Sequence, residues 1–159
     1  MKRLLILTLA LLLITSCHHS LSKEKKRYQA MQQELINYDN FTQPLTYDVN
    51  VYSDRLVDTE IIYRVIIDNP TESMHNISVL VIHNYPTNDI FPSIGIFDEK
   101  VNLIPNYVDM ETNHVKGITL TGYIPYVGDI LNFDGVFKVL IEYEDESGNF
   151  KRDYYQYQN

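Results

Sequence analysis

The chain has 159 residues, of which 45% are hydrophobic, and a formal net charge of -8. These values suit one domain with a packed core and exclude a chain that is disordered by composition. An acidic surface repels phosphate backbones, which argues against nucleic-acid binding. Cys17 is the only cysteine, which excludes an internal disulfide and a zinc site built from several thiolates.

The first sixteen residues predict an export signal. Lys2 and Arg3 form a basic start, and an apolar run of eleven residues covers positions 4–14. A membrane-spanning helix needs about 20 apolar residues, so this run is too short to be an anchor. It has the length of the apolar part of a secretory signal. We therefore predict that residues 1–16 are a signal peptide.

The signal ends in Ile14-Thr15-Ser16-Cys17, which resembles the lipobox of bacterial lipoproteins: an aliphatic residue, two small residues and a cysteine. Leu is more usual in that family where Ile14 stands here. The resemblance implies cleavage after Ser16 and a diacylglyceryl group on the Cys17 thiol. It places the protein in the cell envelope, lipid-anchored to a membrane on its extracytoplasmic side. The alternative is an ordinary cleavage site that leaves Cys17 as an exposed thiol.

Residues 17–40 predict a lipidated tether that ends in a short helix. Such a helix is marginal alone, so it either docks on the domain through one apolar stripe or frays with the tether. The stripe has helical spacing and consists of Tyr28, Met31, Leu35 and Tyr38. Basic residues nearby either favour anionic headgroups or are solvated. They are Lys23, Lys25, Lys26 and Arg27.

Residues 41–159 predict one domain of short strands. Alternating apolar residues from Leu45 predict a half-buried strand that gives way to a turn at 53–55. The stretch 60–68 is an almost continuous β-branched run, typical of a central strand with little exposed surface. A similar strand is predicted at 77–83, with apolar side chains on both faces.

The stretch 84–116 gives a weaker pattern, because Pro86, Pro92 and Pro105 forbid long central strands. Two short strands are predicted within it, at 94–97 and 101–104. Long loops of this kind often carry function on a rigid scaffold. Beyond it, a strand is predicted at 117–124 and a loop at 125–135.

The strongest pattern is a hairpin near the C-terminus. Strict alternation predicts a strand at 137–143, and a second strand is predicted at 150–157. Residues 145–149 predict the turn between them, with Gly148 available for a positive φ. Charged residues at the start of the closing strand predict that it is an edge strand, protected by charge.

About six or seven short strands joined by turns predict a mostly β protein, an antiparallel β-sandwich preceded by a short N-terminal helix or tether. Residues 61–70 and 136–148 resemble bacterial immunoglobulin-like modules of envelope lipoproteins. In those modules a central strand ends in an Asn-Pro turn, and the last hairpin turns on an acidic Ser-Gly or Asp-Gly. The resemblance implies an immunoglobulin-like sandwich and assigns no functional residue. The chain lacks the paired cysteines and the tryptophan of antibody-type domains.

The sequence contains no constellation typical of catalysis or of a cofactor. It has no phosphate-binding loop, nucleophile elbow or zinc-protease motif. The histidines lack metal-site spacing, and we expect His83 to lie on the surface at a strand end. A calcium site made of Asp145, Glu146 and Asn149 is the alternative to a solvated acidic turn. We therefore predict no metal and no cofactor.

Tyrosine is unusually frequent, since the chain holds 13 tyrosines and no tryptophan. Tyrosine is enriched at binding surfaces because it offers a large area with a polar tip. Five tyrosines near the last strands predict a binding patch, and the alternative is that they only cover exposed sheet faces. They are Tyr123, Tyr126, Tyr154, Tyr155 and Tyr157.

Taken together, these features favour a lipid-anchored, non-catalytic module that binds another envelope protein or a glycan. The membrane is a partner through the lipid on Cys17, and nucleic acid is not expected. A second hypothesis is an accessory subunit of an envelope complex. A third is a hydrolase of envelope polymers that uses a pair of carboxylates.

Overall fold

The computed structural model describes residues 23–43, 46–86, 93–106 and 114–158. The predicted signal peptide and Cys17 lie outside these ranges. Within them the chain forms one α-helix, too short and polar to cross a membrane, a short 3-10 helix at Ile130–Asn132, and eight strands. The bounds are α1 Lys23–Ile36, β1 Asp48–Val57, β2 Glu60–Asp68, β3 Met74–His83, β4 Ser93–Leu103, β5 His114–Val115, β6 Gly117–Pro125, β7 Val136–Glu144 and β8 Phe150–Gln158.

The strands form two sheets that enclose the main core. One sheet has the order β1-β2-β6, and the other has the order β5-β4-β3-β7-β8. Neighbouring strands are antiparallel except for β5, a strand of two residues that runs parallel to β4. The prediction of a mostly β, sandwich-like protein is confirmed. With the two-residue β5, the described residues form eight strands, whereas the sequence predicts six or seven.

Side chains alternate between two environments along β3. Val79 and Val81 lie in the core between the sheets, together with alternate residues of β2 such as Val65. Leu80 and Ile82 point to the opposite face of β3, away from the three-stranded sheet. The two apolar faces predicted for 77–83 are therefore confirmed, and the outer face needs its own cover.

Helix α1 provides that cover on the five-stranded sheet. Met31 and Leu35 are buried against Leu80 and Leu140. The two tyrosines of the predicted helical stripe lie at the margin of the same cluster. Of the two predicted alternatives, the helix docks, because burial of its apolar stripe outweighs its low stability in water.

Two strand breaks that the sequence predicts do not form. Strand β1 continues through 53–55 to Val57, because pairing of Ser53 with Tyr63 of β2 overrides the local turn propensity. Residues 93–103 form the single strand β4 instead of two short strands. Register shifts between β3 and β4 accommodate the irregular sequence without ending the strand.

The hairpin turn between β7 and β8 forms as predicted. Gly148 has a φ of 77°, and its amide donates to the Asp145 carbonyl at 2.8 Å. The Asp145 carboxylate accepts from the Asn149 amide at 2.8 Å, and this hydrogen bond lowers the pKa of Asp145. Glu146 accepts from the Ser73 amide at 3.0 Å. The Asp145 and Glu146 carboxylates thus accept hydrogen bonds from backbone amides. For the calcium alternative, the described residues contain no group of three or more candidate metal ligands.

Strand β8 lies at the edge of its sheet, as predicted. Part of this edge is covered by the segment that follows α1. The Thr42 amide donates to the Tyr154 carbonyl at 3.0 Å. Together with the charged residues at the start of β8, this contact limits the backbone groups available to another chain.

The sequence predicts His83 on the surface, and the structure places it half-buried at the end of β3. Its pairing with Phe137 places both side chains on the core face, and its ring centroid is 5.6 Å from that of Tyr63. Its Nδ1 is buried and has no hydrogen-bond partner among the described residues. Burial lowers the pKa of His83, because the charged imidazolium loses its hydration.

We expect the free energy of unfolding to fall as the pH drops below about 6.5. In that range the unfolded chain binds a proton at His83, whereas the folded chain binds it only at lower pH, so protons favour unfolding. Urea unfolding at several pH values measures the effect, which is at most about 1.4 kcal/mol per pH unit for one group. His83→Gln should reduce the slope, and an unchanged slope would assign it to other groups.

Candidate interaction surface

The five tyrosines predicted to form one patch lie in different places. Tyr155 and Tyr157 are partly buried against the sandwich core, and Tyr154 is buried beneath α1. Tyr123 is exposed on β6 in the other sheet, and Tyr126 lies in the loop after it. Alternation along β8 sends neighbouring side chains to opposite faces. The five therefore do not share one surface.

A buried carboxylate joins α1 to the sheet. Glu142 of β7 is 3% exposed and accepts from Arg27 Nη2 at 2.7 Å and from Arg152 Nε at 2.8 Å. Arg152 also donates to Glu34 of the helix at 2.9 Å. The Tyr154 hydroxyl donates to the same Glu34 carboxylate, and burial together with this bond raises the pKa of Tyr154 to about 12. Each oxygen of Glu142 thus has a cationic partner, as a buried charge requires.

This network has a structural role. A glycosidase-type hydrolase places two carboxyl groups on either side of the bond that it cleaves. Glu142 is the buried acidic residue of the described part of the chain, and both of its oxygens are held by arginines. The network holds α1 on the sheet and gives no support to the hydrolase hypothesis.

Exposed apolar side chains gather at one end of the sandwich. Val127 and Leu131, in the loop between β6 and β7, are 81% and 88% exposed. Leu56 and Val57, at the end of β1, are 46% and 53% exposed. We call these four residues the apolar tip. Single exposed apolar residues are ordinary, whereas a group of them on adjoining loops marks an interaction site.

Arg55 joins the two segments of the apolar tip. Its guanidinium donates to the carbonyls of Val57, Asp58 and Tyr126 at 3.5, 3.1 and 3.1 Å. A further bond goes to the carbonyl of Gly128. One planar cation thus connects the turn after β1 with the loop after β6, so the two segments that carry the apolar tip lie side by side.

Aromatic rings support the apolar tip from inside. The ring centroid of Tyr126 lies 5.8 Å from that of Tyr85 and 5.3 Å from that of Phe133. Phe133 is buried in the main core, and the Tyr85 hydroxyl donates to Asp134 at 2.6 Å. The loop is therefore fixed to the sandwich by ring packing as well as by Arg55.

The 3-10 helix Ile130–Asn132 sets the direction of Leu131. Asp129 precedes this helix, and its carboxylate accepts from the Leu131 amide at 3.0 Å. Ile130 and Phe133 turn towards the core, whereas the Leu131 side chain points to solvent. The local structure thus exposes one apolar side chain while its neighbours are buried.

Carboxylates lie close in sequence to the residues of the apolar tip. Asp58, Asp129 and Asp134 are all exposed in its two segments. The cation nearby in sequence, Arg55, is turned towards loop carbonyls. An apolar centre with a polar rim is the usual composition of a protein-binding surface, and here the rim is negative.

The sequence pattern does not predict the apolar tip. The pattern predicts a loop at 125–135, and the structure confirms it apart from the short 3-10 helix. The pattern also predicts a turn at 53–55, where β1 in fact continues. A signal was present in Val127 and Leu131, which are apolar residues in a loop that contains Pro125 and Gly128. Loop positions are usually polar, so two apolar residues four positions apart in one loop are a weak signal.

No family model matches this chain, and no curated protein matches it. Among solved structures, the chain is similar to the crystal structure of Spo0M, a sporulation control protein from Bacillus subtilis. The match has 9% identity and a TM-score of 0.28, and it covers 71% of this chain and 49% of that chain. The chain thus spans about half of that structure's length, and a likeness at this level carries no conclusion about fold or function.

Proposed function

We propose that this protein is a lipid-anchored, non-catalytic interaction module of the cell envelope, and that it binds a partner protein through the apolar tip. The observation that carries the proposal is the exposure of Val127 and Leu131 on a loop whose backbone carbonyls accept hydrogen bonds from Arg55. A loop whose backbone is already held in place loses less conformational entropy on binding than a free loop would.

The finer description of the fold is an immunoglobulin-like sandwich. The strand orders β1-β2-β6 and β5-β4-β3-β7-β8 support it, with the two-residue β5 as an addition at the edge that receives no letter. Lettered in chain order, with β4 as C′, these are strands A-B-E in one sheet and C′-C-F-G in the other, which follows the immunoglobulin arrangement. A sandwich of this type presents loops at its two ends on a stable core.

The lipid anchor rests on Ile14-Thr15-Ser16-Cys17, which lies outside the described residues. We expect Cys17→Ala to abolish lipid attachment and to release the protein from the membrane fraction, because no thiol remains to carry the acyl chains. Metabolic labelling with a fatty-acid analogue, followed by membrane fractionation, measures both effects. Full membrane retention of the variant would contradict the anchor.

Replacing the two most exposed residues of the apolar tip should remove the partner. In the Val127→Ser/Leu131→Ser variant, we expect a defined cross-linked species seen with the wild-type protein in intact cells to disappear. Both side chains are mostly solvated, so the free energy of unfolding should change by no more than about 0.5 kcal/mol per residue. Cross-linking with identification of the partner by mass spectrometry measures the loss.

Phe150→Ser is the matched control. Phe150 is also an exposed apolar residue, at 59%, but it lies on β8 at the other end of the sandwich. This variant should keep the cross-linked partner. Recovery of the wild-type protein only as a free monomer, or an unchanged partner in the tip variant, would overturn the proposed function.

A further inference from the structure

Helix α1 gives the domain a direction relative to its N-terminal segment. Near the start of the helix, Arg27 donates to Glu142 of β7 at 2.7 Å. At its end, the Ile36 carbonyl accepts from Lys138 of β7 at 3.0 Å. Strand β7 begins at Val136, directly after the loop that carries Val127 and Leu131. Lys138 is therefore nearer to that loop than Glu142 is. The helix therefore begins far from the apolar tip and ends close to it.

We call the opposite end of the sandwich, with the turns at 69–73 and 145–149, the turn end. Lys23, the first residue of α1, comes six positions after Cys17, so the connecting chain reaches at most about 20 Å. Strands of nine residues separate the two ends of the sandwich by about 30 Å. An anchor on Cys17 would thus keep the turn end near the bilayer, and it would allow the apolar tip to face away from it.

The negative charge of the rim indicates which kind of partner can bind the apolar tip. Its exposed carboxylates are Asp58, Asp129 and Asp134. They repel anionic headgroups, and they also repel a second copy of this chain, whose net charge is -8. Lys and Arg side chains complement them.

We infer that the apolar tip binds a protein surface with an apolar centre and a rim of Lys or Arg, located on the side of the domain away from the anchoring membrane. The inference rests on the proposed function and specifies its partner. The acidic rim sets the charge of that surface, the four apolar residues set its centre, and the direction of α1 sets its location.

A photo-cross-linking amino acid at position 131 tests the chemistry of the partner in intact cells. The full-length protein should cross-link to a protein, and adding Asp58→Lys should lower the yield roughly tenfold, because a like charge then faces the basic rim. Asp58→Glu keeps the charge and should retain the yield. Asp58 is suited to this test because its side chain is exposed in the β1–β2 turn.

Each outcome of this experiment has one meaning. An unchanged or higher yield with Asp58→Lys would overturn the basic partner while the proposed function stands. Cross-links to phospholipid, to a glycan or to a second copy of the chain would also overturn the inference. The absence of any cross-link would instead overturn the proposed function itself.

Energy transfer tests the direction. Lipidated Cys17 has no free thiol, so Ser147→Cys at the turn end and Asn132→Cys beside the apolar tip can each be labelled selectively. In vesicles of phosphatidylethanolamine and phosphatidylglycerol that contain an acceptor lipid, the Ser147 site should be closer to the bilayer by about 30 Å. Equal transfer from both sites, or stronger transfer from the Asn132 site, would overturn the location of the partner.

Discussion

Leu35→Ala should lower the free energy of unfolding by about 3 kcal/mol. Leu35 is fully buried between α1 and the five-stranded sheet, where it packs with Leu80 and Leu140. Its truncation leaves a cavity that the helix cannot close by moving inward, because the ion pair between Arg27 and Glu142 fixes its distance from the sheet. Equilibrium urea unfolding of the variant and of the wild-type protein measures the loss.

Gln33→Ala is the matched control for this prediction. Gln33 lies in the same turn of α1 and its side chain is exposed, so its replacement should change the free energy of unfolding by less than about 0.5 kcal/mol. A loss below about 1 kcal/mol for Leu35→Ala would show that α1 is not docked in solution. The direction assigned to the domain would then lose its basis.

Gly122→Ala should cost about 2 kcal/mol of folding free energy. Gly122 of β6 lies opposite Tyr63 of β2, and the tyrosine ring fills the space that a side chain at Gly122 would occupy. A methyl group there would lie 2.6 Å from Tyr63 Cε1. Tyr63 is itself 1% exposed and packs against Phe137, so it cannot move aside without disturbing the core.

A double-mutant cycle isolates this contact. Tyr63→Leu shortens the side chain, so Tyr63→Leu/Gly122→Ala should be less destabilised than the sum of the two single variants. Thr121→Ala, next to Gly122 on the exposed face of β6, serves as the control and should change the free energy of unfolding by less than about 0.5 kcal/mol. Additive effects in the cycle would contradict the steric explanation.

Several elements were predictable because their signal is local and periodic. The stripe of α1 includes Met31 and Leu35, and both are buried as the helical spacing predicts. The alternation in β3 predicts two apolar faces, and each of them is covered by a different layer. The turn at Gly148 follows from a positive φ that Gly adopts readily.

Other features depend on pairing between distant segments. The turn predicted at 53–55 does not form, because nine-residue β2 extends the pairing of β1 to Val57. His83 ends a strand and is predicted at the surface, but its register with Phe137 turns its ring towards the core face, where it is half-buried. The tyrosines of β8 separate onto two faces, one of which lies beneath α1.

By itself, the sequence determined the mostly β architecture, the docking stripe of α1 and the last hairpin, since each depends on residues close together in the chain. Its motif at Cys17 is also the basis of the proposed anchor. Only the tertiary structure decided which exposed residues act together. Leu56 and Leu131 are 75 positions apart, and their two segments come together because Arg55 bonds to carbonyls of both. Such convergence depends on strand register and loop geometry, which periodicity along one segment does not encode.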